Sequence, residues 1–431
     1  MAFTISVFAV TILMMIGSII FFPSLKIGKI RFSPYWLIAL LGASVLLLSG
    51  AVLGQEAIEG MFGGTLINPV KILTLFISFT IFSIFLDEIG FFSYVAALVA
   101  LKAKQSQHVL FIAFYVLTSV LTVFTANDIV ILTLTPFIIY FAKNAKINPL
   151  PYLVSEFVAA NTWSMLFIIG NPTNIYLATS FGIDFVSYFL VMALPTISAG
   201  ILSYGLMRLL FKRQLDAPLQ PSGNPVRPSR GLMTIGLVHL GVSTILISIS
   251  SYVGVEMWTL TLAGAISLFI AACIYLAVTK RKLLILKNVL RRVPYSLAPF
   301  MLSMTLLVIA IDKYDVPLLM AQSLAAWSPL FSYGFSSFLF SNIINNIPMS
   351  ILFTEVLSSS ASLNPISVYA TIIGSNLGAI LSPIGALAGI MWMSILKREG
   401  IEYSYGSFLR YGLTISLPLM LISLLGLGLF F

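Results

Sequence analysis

The chain has 431 residues, of which 59% are hydrophobic and only 9% charged, with a mean hydropathy of +1.05. Soluble domains carry about 25% charged residues, so this composition excludes an ordinary soluble enzyme and points to an all-α polytopic membrane protein. The net charge of +9 reads as a topology signal, because basic residues collect in cytoplasmic loops, and nucleic acid is not an expected partner.

Single-residue counts narrow the class further. Cys273 is the one cysteine, so no disulfide framework or multi-thiolate metal site can form within one chain. His108 and His239 have no zinc-site spacing, and no GxxxxGK[ST] phosphate loop is present. No cofactor, metal or enzymatic activity is expected. The first apolar run lacks a basic leader and a clear cleavage site, and reads as a retained span.

A membrane helix needs about 20 apolar residues. In chain order the spans are expected at roughly 4–22, 34–53, 68–100, 150–180 and 184–211, and then at 232–250, 257–278, 294–311, 364–395 and 411–430. Two further apolar stretches, 109–142 and 329–357, carry polar breaks at their centres. Basic residues flank the first at both ends, with Lys102 and Lys104 before it and Lys143 and Lys146 after it. None flanks the second. Most of the basic residues fall on one side if 109–142 is a re-entrant hairpin from the cytoplasm and 329–357 one from outside. Among them are Lys26, Lys29 and Arg31, the cluster Lys280 to Arg292, and Lys397 with Arg398. Ten helices then span, and both termini lie outside a cell (inner) membrane.

Each half holds five spans and one hairpin, so an odd count inverts the second half against the first. The expected organisation is a first repeat at 1–211, a cytoplasmic linker at 212–231 and a second repeat at 232–431. Asn127 and Asn342, Asn161 and Asn376, and Gly170 and Gly385 are each 215 residues apart; pairing "ND" at 127–128 with "NN" at 345–346 gives 218. Inverted repeats with broken helices are a common build of secondary transporters, with the site near the midplane. "GNPTN", Gly170–Asn174 at the middle of "FIIGNPTNIYL", reads as one unwound segment, and "SPIGALAG", Ser382–Gly389, as its partner. An unsatisfied backbone group in hydrocarbon costs several kcal/mol, so such breaks belong where protein or a cavity surrounds them.

Four segments are expected to converge there. They supply Asn127; Asn161, Thr162, Asn171, Thr173 and Asn174; Asn342, Asn345 and Asn346; and Ser375, Asn376 and Ser382 as substrate-binding candidates. Amides and hydroxyls both donate and accept without charge, which suits a neutral polyol-like solute, an anion held by amides, or an ion held by carbonyls. A lone asparagine can also serve as glue between helices. Acidic residues at membrane depth are costly and functional by default. Asp128, at a hairpin tip, is the candidate for proton or cation coupling, and Glu156, expected to face the cytoplasmic vestibule, is the second.

"FLDEIGFF", "FTANDIVILTLTP", "NNIPMSILF", "YATIIGSNLGAILSPIGALAGIMWMSIL" and "YGSFLRYGLTISLPLMLISLL" together closely resemble the arsenical pump membrane proteins (ArsB) of the ion transporter superfamily, over essentially the whole chain. The resemblance implies a scaffold and a transport domain moving as an elevator, and proton-driven efflux of arsenite and antimonite. It also implies a soluble ATPase subunit as a partner in some relatives; a homodimer in the lipid bilayer is a further expectation. Arsenite is mostly a neutral triol at pH 7, which a ring of Asn, Ser and Thr fits without thiolates. The chain departs from the arsenite pumps at Asn161-Thr162, where they tend to carry an acidic residue, and its "GNPTN" is similar to the carboxylate and sodium branches. A sodium- or proton-coupled carrier of another ion or organic anion is therefore the alternative.

Overall fold

The computed structural model describes residues 1–22, 25–27, 30–32, 34–63, 68–102, 106–216, 227–360 and 363–431. Lys29, Lys104 and positions 217–226 of the expected linker lie outside the described residues. The first half runs α1 (Ala2–Phe21), a small antiparallel hairpin of β1 (Leu25–Ile27) and β2 (Ile30–Phe32), α2 (Tyr35–Leu48), α3 (Gly54–Phe62), α4 (Pro69–Glu88) and α5 (Phe91–Lys102). It continues with α6 (Gln107–Phe124), α7 (Asn127–Ala145), α8 (Leu150–Trp163), a 3-10 turn at Ile168–Gly170, α9 (Pro172–Ser180) and α10 (Phe185–Leu215). The second half runs α11 (Arg230–Ser248), α12 (Ser250–Val253), α13 (Met257–Val278), α14 (Leu284–Arg292), α15 (Leu297–Asp312) and α16 (Val316–Ala325). Then come α17 (Pro329–Ile344), α18 (Asn346–Ser358), α19 (Pro365–Leu381), a 3-10 turn at Pro383–Gly385, α20 (Leu387–Arg398) and α21 (Tyr405–Gly428).

The chain is thus an all-α polytopic membrane protein. Nine segments among the described residues are long and apolar enough to cross a membrane. This differs in detail from the ten expected spans. The run 68–100 is not one helix: it breaks at Gly90, whose φ of +81° lets the chain turn between α4 and α5. The broken helices 150–180 and 364–395 divide into shorter pieces. Both arms of the first hairpin, α6 and α7, are long enough to count as spans themselves.

Local chemistry sets many helix starts. Asn-Pro opens α4, α9 and α19, and the carboxamides of Asn68, Asn171 and Asn364 accept backbone N–H bonds from Lys71, Thr173 and Ile366 respectively. Asparagine is a favoured N-cap, and proline at the first helical position has no N–H to leave orphaned. Burial then sorts the helices. Only 28% of the Met257–Val278 segment is buried, against 72% of Pro69–Glu88, so α13 is peripheral and α4 central. The most enclosed helices are α8, α9 and α19, which pack with the hairpins α6–α7 and α17–α18 and with α10 and α21.

The order hairpin, helix, 3-10 turn, helix, long helix occurs in both halves, and the two turns match locally. Each is entered and left through extended residues: Phe167 (φ −122°, ψ 151°) and Asn171 (−148°, 140°) in the first, Ser382 (−144°, 159°) and Ala386 (−150°, 154°) in the second. The 215-residue spacing therefore holds for Asn161 with Asn376 and for Gly170 with Gly385. It does not hold for Asn127 with Asn342. Asn127 opens α7 as Asn346 opens α18, while Asn342 lies a turn earlier, on α17. The "ND"/"NN" alternative is nearer the structural match.

Helices α17 and α19 approach closely over glycine. A Cβ on Gly374 would lie 2.0 Å from Ser337 Oγ and 2.2 Å from the Gly334 carbonyl oxygen. Because the second obstacle is backbone, the helices must separate to admit it. Gly374→Ala is expected to cost about 1–3 kcal/mol, read as a lowered melting temperature of the purified protein.

Candidate functional site

Each 3-10 turn needs small residues and side-chain donors to close. A Cβ on Gly170 would meet the Ser164 carbonyl at 2.3 Å, and one on Gly385 the Gly378 carbonyl at 2.6 Å. Around the first turn, Asn174 Nδ2 donates to the carbonyls of Ser164 (2.7 Å) and Phe167 (3.3 Å). Asn171 Oδ1 accepts from the backbone N–H and hydroxyl of Thr173, both at 3.1 Å.

The first break is tied to the second half through one hub. Asn376 Oδ1 accepts from Ser164 Oγ and Asn171 Nδ2, each at 2.9 Å, and Asn376 Nδ2 donates to Asn174 Oδ1 at 2.6 Å and to the Ile372 carbonyl at 2.8 Å. Ser164, Asn174 and Asn376 have no exposed surface, and Asn171 and Thr173 almost none. Asn161 repeats part of this pattern. It donates to the Phe157 carbonyl at 2.8 Å and accepts from Asn127 Nδ2 at the tip of the first hairpin at 3.2 Å.

At the second hairpin, Asn345 Nδ2 donates to the Ile384 carbonyl inside the second turn at 2.9 Å. Its backbone sits at φ +74°, ψ 153°, a region seldom occupied by any residue except glycine and found at functional sites when neighbours enforce it. Ser382 Oγ donates to Asn342 Oδ1 at 2.6 Å, and Asn342 Nδ2 donates to the carbonyls of Phe338 and Gly378, each at 2.9 Å. Asn346 is buried and makes no side-chain hydrogen bond to a described residue. The Thr162 and Ser375 hydroxyls are buried without a partner.

The fourteen sequence candidates thus separate. Asn171, Thr173, Asn174 and Asn376 form one closed network with Ser164, which the sequence reading did not single out. Asn342, Asn345 and Ser382 close the second turn, and Asn127 with Asn161 closes the first hairpin onto α8. Glu156 does not face the vestibule expected for it. It is 1% exposed, packed inside the bundle, where Thr135 Oγ1 lies 3.0 and 2.9 Å from its two oxygens. The reason is that α8 is enclosed on every side, with each residue from Pro151 to Thr162 buried; on α7, Asp128, Ile129, Leu132 and Pro136 form the open face, and Thr135 points inward to α8.

That open face borders a cavity of about 560 Å³, lined also by Tyr35 and Ser296, by Leu387 and Ala388 at the start of α20, and by Arg398 at its end. Eleven residues of helix rise by about 16 Å, so the cavity runs along α20 from the polar centre to the basic face. Arg292 stands at that mouth, bonded to Asp87 and, at 3.2 Å, to Glu88, which also accepts from Asn288 Nδ2 at 2.7 Å. Asp128 Oδ1 accepts from the Ile129 N–H at 3.0 Å, and its carboxyl makes no ion pair among the described residues. The sequence reading uses Arg292 and Arg398 only as topology markers and does not name Tyr35.

A second cavity, of about 440 Å³, lies on the other face, between the end of α9, the start of α4 and the α12–α13 turn. There Lys71 Nζ donates to Glu256 Oε1 at 2.7 Å, and the Trp258 indole donates to the other oxygen. The Lys71 bond, helped by Trp258, lowers the Glu256 carboxyl from its usual range. A depressed carboxyl stabilises the fold above its unfolded pKa, and that contribution is lost as pH falls through the folded one. Wild type is therefore expected to lose more thermal stability than Lys71→Ala as pH falls below about 4. Identical pH profiles would assign the pair no role.

Discontinuous helices meeting at their breaks, with an unpaired carboxylate on a cavity that reaches one face, define a membrane transporter. A citrate transporter (CitMHS) family model matches residues 12–369, and the chain belongs to that family. It is 27% identical over 371 residues to the arsenical pump membrane protein of Escherichia coli, covering 82% of this chain and 85% of that one. It is also 27% identical over 407 residues to a putative arsenical pump membrane protein of Bacillus subtilis (strain 168), covering 86% and 89%. The resemblance read from the motifs is thus borne out. In solved structures the fold is shared with the YdaH transporter of Alcanivorax borkumensis, at TM-score 0.56 and 15% identity over 98% of this chain and 97% of that one. It is shared too with the MtrF efflux pump of Neisseria gonorrhoeae, at TM-score 0.54 and 14% identity over 98% and 94%.

Proposed function

We propose that the protein is a secondary active transporter that exports arsenite and antimonite in exchange for protons, by elevator-type alternating access in the cell membrane. The observation that carries this reading is the unpaired Asp128 carboxyl on a cavity that runs from the basic face to the start of α20, just past the second break. By the distribution of lysine and arginine, that face is cytoplasmic and the two halves are inverted repeats. The cavity then opens inward, where an export substrate must enter. Asp128 carries the exchanged proton. Glu156 joins α7 to α8 through Thr135 and keeps the hairpin arm in register.

A triol that donates and accepts hydrogen bonds suits a site of one carboxyl, amides and hydroxyls better than a polycarboxylate does, because Asp128 would repel an anion. Arg292 and Arg398 at the mouth, with the match to citrate transporters, favour the second reading, an organic-anion carrier. Purified protein in liposomes, given an inward- or outward-directed proton gradient, separates them. Arsenite and antimonite are expected to move against their gradients, while citrate, succinate and sodium do not. Gradient-driven citrate flux without arsenite flux would reverse the assignment.

A further inference from the structure

The two breaks match in backbone and differ in what fills them. Position for position, Ser164, Asn171, Thr173 and Asn174 of the first correspond to Ala379, Ala386, Ala388 and Gly389 of the second. Ser164, Asn171 and Asn174 of the first set supply every side-chain hydrogen bond that Asn376 makes among the described residues, and Thr173 holds Asn171. The second set supplies none for Asn161, the counterpart of Asn376. Helix starts differ in the same sense: Asn171 caps α9 from its side chain, whereas α20 begins at Ala386 with no side-chain cap. The α20 start also lies on the cavity, through Leu387 and Ala388, beside Asp128. Asn127, 2% exposed, uses its Nδ2 on Asn161, and its Oδ1 has no partner among the described residues.

We infer that the substrate is held on one side only of the pseudo-symmetric centre, in the half-site bounded by Asn127, Asp128, Asn161 and the uncapped start of α20, while the half-site around Asn376 is a permanently closed internal latch. This rests on the transport reading and specifies it. In the open half-site the Gly389 N–H donates to the Ala386 carbonyl, while the N–H groups of Leu387 and Ala388 have no partner among the described residues and offer donors to a ligand oxygen, with favourable dipole. Asp128 and Asn127 Oδ1 offer acceptors. The ligand must therefore present hydroxyl donors and oxygen acceptors within a few ångströms of each other, as a small polyhydroxyl acid does. In the closed half-site the amides already occupy one another, and opening it would leave several buried groups unpaired.

Two measurements test this. In a Cys273→Ser background, Thr173→Cys and Ala388→Cys are compared for reaction with a water-soluble thiol reagent. Reaction at 388 at least tenfold faster than at 173 is expected; equal rates, or the reverse, overturn the inference whether or not any substrate is known. Separately, Ala386→Asn gives α20 the cap that α9 has. It is expected to keep or raise thermal stability and to abolish proton-driven arsenite flux in liposomes, while Asn171→Ala lowers stability and leaves the KM for arsenite within about twofold. Arsenite flux unchanged in Ala386→Asn, with wild-type flux present, overturns the inference. Absence of arsenite flux in wild type overturns the transport reading instead, and the labelling ratio still decides the asymmetry.

Discussion

Asp128→Asn is expected to reduce proton-driven accumulation of arsenite to the level of protein-free liposomes, while the variant remains inserted and folded. The substitution is nearly isosteric. The Ile129 N–H bond needs only an oxygen acceptor, and the amide supplies one. No cation partner is lost, because none is bound. The fold therefore changes by no more than about 0.5 kcal/mol. What disappears is the one carboxyl among the described residues lining that cavity, and with it the group proposed to carry the exchanged proton. Downhill equilibration of arsenite, which needs no coupling, is expected to persist. Uphill accumulation at the wild-type rate would remove Asp128 from the mechanism.

The second large effect belongs to Asn376. Asn376→Ala removes three side-chain contacts to Ser164, Asn171 and Asn174. Interhelical hydrogen bonds in membranes average about 0.6 kcal/mol each, so the bonds alone come to about 2 kcal/mol. The partners are then left buried and unpaired, which adds about 1–3 kcal/mol. The total, about 3–5 kcal/mol, is expected as a drop in melting temperature of roughly 5–10 °C. Asn161→Ala loses fewer contacts and is expected to lose about half as much. A melting temperature for Asn376→Ala within 1 °C of wild type, on an assay good to about that margin, would show that the latch carries no stability.

The contrast explains what the sequence could and could not convey. Spans, breaks and the polar centre were legible because hydropathy and glycine-proline punctuation act locally. The run 68–100, too long for one simple span, divides because one glycine, Gly90, redirects an otherwise continuous apolar segment. "GNPTN" supplies substrate-binding candidates by its polarity, yet Asn-Pro is also the signature of an N-cap followed by proline at the first helical position. The same pair opens α4 and α19 away from the centre. Which role Asn171 takes depends on Asn376, 205 residues further on, and no local pattern contains that. The burial of Glu156 is likewise invisible locally: it follows from the enclosure of α8, buried at every position from Pro151 to Thr162, while α7 turns Asp128 to the cavity and Thr135 to α8. The small residues Ala386, Ala388 and Gly389 carried no polar signal at all. They matter only as the counterparts of Asn171, Thr173 and Asn174 in a turn of the same backbone conformation.

The most direct test is to load liposomes containing the protein with a pH-sensitive dye, impose an arsenite gradient with no initial pH difference, and record the internal pH. Proton-for-arsenite exchange predicts a pH change opposite in direction to the arsenite flux, independent of sodium and absent in Asp128→Asn. Arsenite movement with no pH change, or a pH change that sodium or citrate evokes and arsenite does not, would contradict it.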